Sequence, residues 1–309
     1  MYPTMVLWQL LSRMVNGENS LSDKLKVSYS QYSMWSQCPH RWKLNYIDRM
    51  STFTDNIHTL FGTSMHEVMQ FWVKTIYEVS AKAANELDLN TMLLAKMKKL
   101  YSDLMKVEGS EHFTTPDQLR EFWQDGCAIL DFLKKRRGDY FSKKGWILKG
   151  IETELDCPLT DQVGFRGFID LVLENTINQK IKIIDIKTST MGWNKWIKAD
   201  KNKTDQLLLY KQFYSKQFDI PMDKINVEYF IVKRKLYEKV EWPQKRVQSF
   251  IPANGTPSIN KVLNNLSNFL EDGFDGGEYK HKDYFKNASK KTCRFCEFNQ
   301  TEYCDEGIK

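Results

Sequence analysis

The stretch GFRGFIDLVLENTINQKIKIIDIKT, residues 164–188, contains two apolar runs separated by a polar segment. The runs cover 165–173 and 181–186, and both are rich in the β-branched and aromatic residues that favour strands. The polar segment 174–179 lies between them. The sequence therefore predicts a β-hairpin, or at least two adjacent antiparallel strands.

Three charged residues interrupt the apolar pattern of this hairpin. Asp170 lies in the first run, while Asp185 and Lys187 belong to the second strand and are predicted to share one face of it. Burying these charges unpaired would be costly, and one solution is a buried salt bridge between the lysine and an aspartate. The other is a divalent cation such as Mg²⁺, which binds carboxylate oxygens and activates water against a phosphodiester. Lys187 would then orient that water or help to deprotonate it.

Two further spacings accompany the hairpin. Gly62 and His66 form G-x-x-x-H, and Gln206 and Tyr210 form Q-x-x-x-Y. Together with G-F-R-G-F-I-D and I-I-D-I-K-T-S, these motifs resemble the RecB-like exonuclease branch of the PD-(D/E)xK nuclease superfamily. The resemblance extends from about residue 28 to residue 304.

The resemblance implies a role for each motif residue. The implied catalytic residues are Asp170, Asp185, Lys187, Gln206 and Tyr210, and the implied metal ligands are His66, Asp170, Asp185 and the carbonyl of Ile186. Gln206 and Tyr210 are four residues apart, so they share a helix face and would bind phosphate or hold the scissile region. From the residues alone, His66 could instead be a structural histidine, and Gln206 with Tyr210 a pair at the edge of the core.

Four cysteines lie near the two ends of the chain. Cys38 is followed by a proline, and Cys293, Cys296 and Cys304 are closely spaced. Without a secretory signal disulfides are not expected, and short spacing favours a metal or cluster site. The four resemble the iron–sulfur form of the same branch, found in CRISPR-adaptation exonucleases and AddB-type helicase–nucleases, which implies a [4Fe–4S] cluster. Zinc is the alternative, including a site made by the three tail cysteines with His281.

The segment after the hairpin interleaves aromatic residues with lysines. The candidate DNA-binding residues are Trp193, Lys195, Trp196 and Lys198. Such a pattern suits single-stranded nucleic acid, because bases stack on the rings and phosphates attract the ammonium groups. The alternative is an exposed loop with ordinary core tryptophans.

Composition agrees with a nucleic-acid partner without diagnosing one. The net charge is +6 and the pI about 8.8. No run of eighteen apolar residues occurs, so no membrane span is predicted, and we expect a location in the cytoplasm of a bacterial cell or a phage-infected host. The chain lacks a G-x-x-x-x-G-K-[ST] motif, so a helicase or other recombination partner would be a separate protein.

The order of the predicted elements favours an α/β protein with a mixed central sheet flanked by helices, resembling the restriction-endonuclease core. The predicted elements are helices over 60–82, 86–137 (in two parts), 205–218 and 258–271, and strands over 146–158, 225–236 and near 247–251. We predict three regions: a helical region 1–145, a nuclease core 146–272, and a cysteine tail 273–309 packing back on the first. Glu152 and Glu154, on one strand face, are expected at most to support the metal ligands.

These features predict a metal-dependent DNA exonuclease. Its substrate would be single strands or DNA ends, in recombination, repair or phage DNA processing. The alternative is a catalytically weak DNA-binding module or a scaffold that recruits a helicase. The Asp170, Asp185 and Lys187 set favours the nuclease, since a pure binding module would not need it.

Overall fold

The computed structural model describes residues 24–50, 55–107 and 112–308. Within these ranges the protein contains a mixed six-stranded sheet flanked by helices on both faces, which confirms the predicted fold class. Its strands are β1 Leu25–Val27, β2 Trp146–Pro158, β3 Val163–Asn175, β4 Ile181–Ser189, β5 Ile225–Lys233 and β6 Val247–Phe250. The short strands β7 Phe274–Asp275 and β8 Glu278–Tyr279 form a separate pair.

The helices follow the predicted order with shifted ends. They are α1 Tyr29–Gln37, α2 Pro39–Trp42, α3 Ile57–Lys74, α4 Ala81–Glu86, α5 Leu89–Leu104, α6 Pro116–Lys135, α7 Arg137–Tyr140, α8 Lys195–Ala199, α9 Lys201–Phe218, α10 Thr256–Gly273 and α11 Lys290–Cys293. The side chain of Asn56 caps α3 and that of Asp200 caps α9, so both helices begin earlier than predicted. The first 23 residues of the predicted helical region 1–145 lie outside the described residues. None of the described helices is long and apolar enough to cross a membrane.

The predicted hairpin is formed by β3 and β4, which pair antiparallel from Leu171↔Ile184 to Glu174↔Ile181. At its other end, the same edge of β3 pairs with β1 over Val163–Phe165. The residues 166–170 of β3 lie between these two pairings. A fork therefore opens in the sheet at Asp170, where β4 leaves β3 and continues in parallel with β5.

Two apolar clusters cover the two faces of the sheet. Helices α1, α9 and α10 contribute to one cluster, and α3, α5 and α6 contribute to the other. The side chains of β4 alternate between them: Ile183 joins the first cluster, and Ile184 and Ile186 join the second. This alternation directs Asp185 and Lys187 to the same face of the strand as Ile183.

Candidate active site

Asp170 lies where β3 and β4 part, and its carboxylate links the two strands. Asp170 Oδ2 accepts a hydrogen bond from the backbone N–H of Ile186 at 2.6 Å, a bond that a strand would otherwise receive from a backbone carbonyl. Continuing the register from Leu171↔Ile184 places Asp170 opposite Asp185. The fork thus brings the two aspartates of the hairpin together at one point.

His66 approaches this point from helix α3. Its Nδ1 lies 3.6 Å from Asp170 Oδ2. Four residues earlier, Gly62 brings the helix against β4, because a Cβ at Gly62 would lie only 3.3 Å from Thr188 Oγ1. The glycine of the G-x-x-x-H spacing therefore allows the close approach that places the histidine one turn further along the same helix face.

Electrostatics couple His66 to Asp170. Burial alone would lower the pKa of His66, but the charge and hydrogen bond of Asp170 outweigh it and raise that pKa. Burial alone would raise the pKa of Asp170, but the neighbouring charges of His66 and Lys187 and the Ile186 N–H hold it below its usual range. Asp170 is therefore ionised in the folded protein.

Asp185 and Lys187 form a buried ion pair. The side chain of Lys187 reaches Asp185 with an Nζ–Oδ2 distance of 2.7 Å, and the two residues are 6% and 3% exposed. Burial raises the pKa of Asp185 to about 6, against the opposing effect of the Lys187 charge. Although the ammonium is at ion-pair distance, Oδ2 of Asp185 accepts no well-directed hydrogen bond from the described residues. The ammonium of Lys187 is therefore the cation that faces this oxygen in the structure.

Gln206 and Tyr210 of α9 extend this pair into a hydrogen-bonded row. Lys187 Nζ donates to Gln206 Oε1 at 3.1 Å, and Gln206 Nε2 donates to the Tyr210 hydroxyl at 3.0 Å. Tyr210 is buried, and burial raises its pKa further. Its ring lies against the backbone at Gly167, where an added Cβ would be 2.9 Å from Tyr210 Cε1. The row holds the Lys187 ammonium in one position beside Asp185.

The sequence analysis missed Gln70 and expected Glu152 at most to support the metal ligands. The β2–β3 register, Ile151↔Leu171 and Thr153↔Ile169, places Glu152 opposite Asp170. Glu152 has a φ of +47°, just after a β-bulge, and its carboxylate accepts a hydrogen bond from Gln70 Nε2. Gln70 lies four residues after His66 on α3, a spacing that would have identified it.

The environment of Glu152 differs from that of its neighbour on the strand. Burial and the nearby charge of Asp170 raise the pKa of Glu152, although part of the side chain is open to solvent. Glu154 instead accepts a hydrogen bond from Arg166 Nε at 2.7 Å on the exposed side of the sheet. Of the two acids, only Glu152 is directed towards the site, and bulges next to active sites often redirect a side chain in this way.

The donors at the fork fit a hard divalent cation in their chemistry. Carboxylate oxygens and a histidine nitrogen suit Mg²⁺ and Mn²⁺. Across the described part of the chain, no three His, Cys, Asp or Glu side chains are arranged so that they could hold a metal ion as they stand. In this arrangement Lys187 supplies the positive charge at the site.

The lysine–tryptophan segment divides into a buried and an exposed part. The predicted DNA-binding role of Trp193 is not supported, because its ring is 7% exposed and packs 4.9 Å from the ring of Tyr229. Gln248 of β6 also binds both backbone polar groups of Trp193. Trp196, in contrast, is 72% exposed, and Lys195 Nζ lies 4.8 Å from the centre of its ring. Lys198 is half-buried, with Nζ 5.6 Å from the Phe250 ring.

The four predicted cluster cysteines line one pocket between the α1–α2 junction and the tail. Cys38, Cys293, Cys296 and Cys304 all contribute to its lining, together with residues such as His40 and Arg41. His281 is not among the described residues that line it. All six cysteines fall within the described ranges, and all are free thiols. Among the described residues, no three of these thiols are arranged so that they could hold a metal ion as they stand.

Polar contacts independent of the thiols join the tail to the start of the chain. Arg41 Nε donates to Glu297 Oε2 at 2.9 Å, and His40 Nε2 lies 2.9 Å from the carbonyl oxygen of Tyr303. Asn287 Nδ2 donates to the Gln37 carbonyl at 2.8 Å. The pocket of cysteines is therefore closed by residues from both ends of the described chain.

Comparison with known proteins identifies a family for most of the chain. The model of the PD-(D/E)XK nuclease superfamily matches residues 26–304. A solved structure described as "Crystal structure of SSO0001" is similar with 10% identity and a TM-score of 0.34, covering 95% of this chain and 91% of that chain. No curated protein matches.

Proposed function

Because the chain belongs to the PD-(D/E)XK nuclease superfamily, we propose that it is a divalent-metal-dependent deoxyribonuclease that uses the fork at Asp170. The observation that carries the proposal is that the His66–Asp170 pair and the buried Asp185–Lys187 ion pair lie on either side of one backbone contact, the Ile186 N–H that Asp170 accepts. Four groups from three elements converge at one break in the sheet, which the stability of a sheet does not require.

The chain's own residues have separate tasks in this proposal. His66, Asp170, Asp185 and the carbonyl of Ile186 would hold Mg²⁺ or Mn²⁺. When bound, such an ion lowers the pKa of water and stabilises negative charge on a phosphodiester. Lys187 orients the attacking water and offsets the charge that develops on the phosphate.

The row on α9 positions Lys187 and the substrate. Gln206 accepts a hydrogen bond from the Lys187 ammonium, so it fixes the direction in which the remaining ammonium protons point. Tyr210, held by Gln206 and by the close approach to Gly167, keeps that amide in place. Both would therefore affect turnover through the orientation of Lys187.

We assign the enzyme more narrowly to the RecB-like branch, as an exonuclease acting on single strands or DNA ends in recombination, repair or phage DNA processing. The combined G-x-x-x-H and Q-x-x-x-Y spacings support this assignment, since the structure brings the histidine and the glutamine to the same site. A separate helicase or recombination protein would supply any ATP-driven step.

The test is cleavage of DNA labelled at the 5′ or the 3′ end, single-stranded and double-stranded, with Mg²⁺, with Mn²⁺ or with EDTA. We expect stepwise release of end nucleotides with either metal, none with EDTA, and none with Asp185→Ala. Circular single strands serve as the control that separates an exonuclease from an endonuclease. Metal-independent cleavage, or full activity of Asp185→Ala, would overturn the assignment; binding without cleavage would favour the DNA-binding module.

For the tail we propose a [4Fe–4S] cluster on Cys38, Cys293, Cys296 and Cys304, with zinc as the alternative. The shared pocket supports it, because soft thiolates from both ends of the chain line one space. The cluster would tie the two ends of the fold together and stabilise it. Iron and zinc content and the visible spectrum, after anaerobic purification, distinguish the two. Cys38→Ala should lose the metal, whereas Cys127→Ala, outside the pocket, should keep it; equal metal content in both would contradict the site.

A further inference from the structure

Helix α11 of the tail lies beside the corner where α8 meets α9. Lys291 Nζ is 3.3 Å from Asp200 Oδ1, and Asp200 is the residue that ends α8 and caps α9 through its side chain. This ion pair joins residues 195–203 to residues 290–295, and we call the two joined segments the basic–aromatic strip.

Two exposed aromatic side chains stand on this strip in the same arrangement. Trp196 is 72% exposed and Phe295 is 71% exposed. The cationic side chain of the preceding residue lies near each ring. Lys195 Nζ is 4.8 Å from the centre of the Trp196 ring, and the guanidinium carbon of Arg294 is 5.0 Å from the centre of the Phe295 ring. An open aromatic face with an adjacent cation is suited to stacking a base and attracting its phosphate.

The charge of the strip is complementary to a polyanion. Its two segments contain seven lysine or arginine residues and a single acid, Asp200. That acid is already engaged by Lys291 and by the start of α9. The strip therefore attracts a phosphate backbone more strongly than it would attract an apolar or basic protein surface.

Lys203 connects the strip to the active site. It lies on α9 three residues before Gln206, on the same helix face, and Gln206 binds the catalytic Lys187. Burial lowers the pKa of Lys203 to about 8, Asp200 opposes the shift, and the positive charges of Lys187 and Lys291 add to it. Lys203 thus lies within electrostatic reach of both the active-site lysine and the tail.

We propose that the basic–aromatic strip is the track along which single-stranded DNA runs to the Lys187 site, with Trp196 and Phe295 as its stacking platforms. This inference rests on the proposed nuclease function. An unpaired strand is the occupant, because its bases are open to stack on the rings, whereas a duplex presents mainly phosphates. The tail would then serve the reaction by placing Phe295 beside α8.

The test is equilibrium binding of a fluorescent oligothymidylate of about 20 nucleotides, a length that exceeds the roughly 4–16 nucleotides that one binding fold covers. EDTA is present, so that no strand is cut. Trp196→Ala and Phe295→Ala should each weaken binding by roughly ten- to a hundredfold, as expected for one lost stacking contact. Trp242→Ala, which removes a tryptophan that is 65% exposed outside the strip, is the matched control and should bind like the wild type. Phe295→Trp should restore affinity, which guards against an effect of Phe295→Ala on the fold of the tail.

Each outcome decides the proposal. Wild-type affinity in both alanine variants would overturn the track, and so would equal competition by a blunt duplex of the same length. If those variants bind normally while the wild type cleaves DNA with Mg²⁺, the track is wrong and the nuclease function stands. If they lose binding while the wild type never cleaves, the strip is a binding surface for single strands and the nuclease function is wrong.

Discussion

Glycine at position 152 should make the protein more stable than alanine at the same position. Glu152 has a φ of +47°, in the left-handed region that residues with a Cβ avoid, while Glu154 lies two residues further along the same strand. Both variants at 152 lose the same carboxylate and the same hydrogen bond from Gln70, so these losses cancel between them. The difference that remains is the backbone preference.

The magnitude follows from the conformation. A left-handed residue with a Cβ costs about 1–2 kcal/mol, which Glu152→Ala retains and Glu152→Gly relieves. Against this, glycine in a strand is less stable than alanine by roughly 0.5–1 kcal/mol. We therefore expect the free energy of unfolding of Glu152→Gly to exceed that of Glu152→Ala by about 0.5–1 kcal/mol. At Glu154 we expect the alanine variant to be the more stable one. At roughly 2 °C per kcal/mol for a chain of this size, the melting temperatures would differ by about 1–2 °C.

Urea unfolding of the glycine and alanine variants at positions 152 and 154 measures the difference in free energy of unfolding at each position. DNA cleavage is assayed in parallel. If Glu152 supports the site, both 152 variants should lose cleavage while both 154 variants keep it. If Glu152→Ala were as stable as Glu152→Gly, or more stable, the strained conformation at position 152 would be refuted. Full cleavage by Glu152→Ala, which keeps the strain but lacks the carboxylate, would show that the carboxylate serves no catalytic purpose.

Four further outcomes follow from the site. Lys187→Ala should abolish cleavage while DNA binding in EDTA survives; lost binding would contradict its role towards the water. Gln206→Ala and Tyr210→Phe should lower kcat by a smaller factor than Lys187→Ala, since they act through the lysine. Gly167→Ala should lower the free energy of unfolding by about 1–3 kcal/mol, because its Cβ would lie 2.9 Å from Tyr210 Cε1; an unchanged urea midpoint would refute that packing. DNA affinity should fall as pH rises through about 8, where Lys203 loses its charge, and Lys203→Arg should remove this dependence in an anisotropy titration.

The parts of the fold that local sequence determines were predicted well. The apolar alternation on either side of 174–179 predicted β3 and β4, and the strand predicted over 146–158 is β2. The site roles of His66, Asp185 and Gln206 were drawn from the resemblance of their motifs to the family and stay predictions, while the structure places His66 beside Asp170 and Gln206 beside Lys187. Each of these signals depends on a few neighbouring residues.

Tertiary structure decided what the sequence could not. Glu152 adopts its left-handed conformation two residues after the bulge between Leu148 and Gly150, and Gly150 indicates at most the bulge, not the conformation of Glu152. Trp193 is buried because Gln248, far along the chain, binds its backbone and Tyr229 receives its ring. A lysine–tryptophan pattern alone does not distinguish such a core residue from the exposed Trp196.

The two aspartates of the fork contribute to the site in different ways. Asp170 accepts the Ile186 N–H, so its carboxylate is part of the sheet as well as of the site, and removing it leaves a backbone donor unsatisfied at a cost of about 1–3 kcal/mol. Asp185 is buried and pairs with the Lys187 ammonium at 2.7 Å, and burial raises its pKa to about 6 against the effect of that ammonium. A loss of activity on substituting Asp170 therefore mixes chemistry with folding. Removing Asp185 likewise leaves the buried Lys187 ammonium without its partner, so Asp185→Asn, which keeps an acceptor oxygen beside the lysine, separates chemistry from folding better than Asp185→Ala.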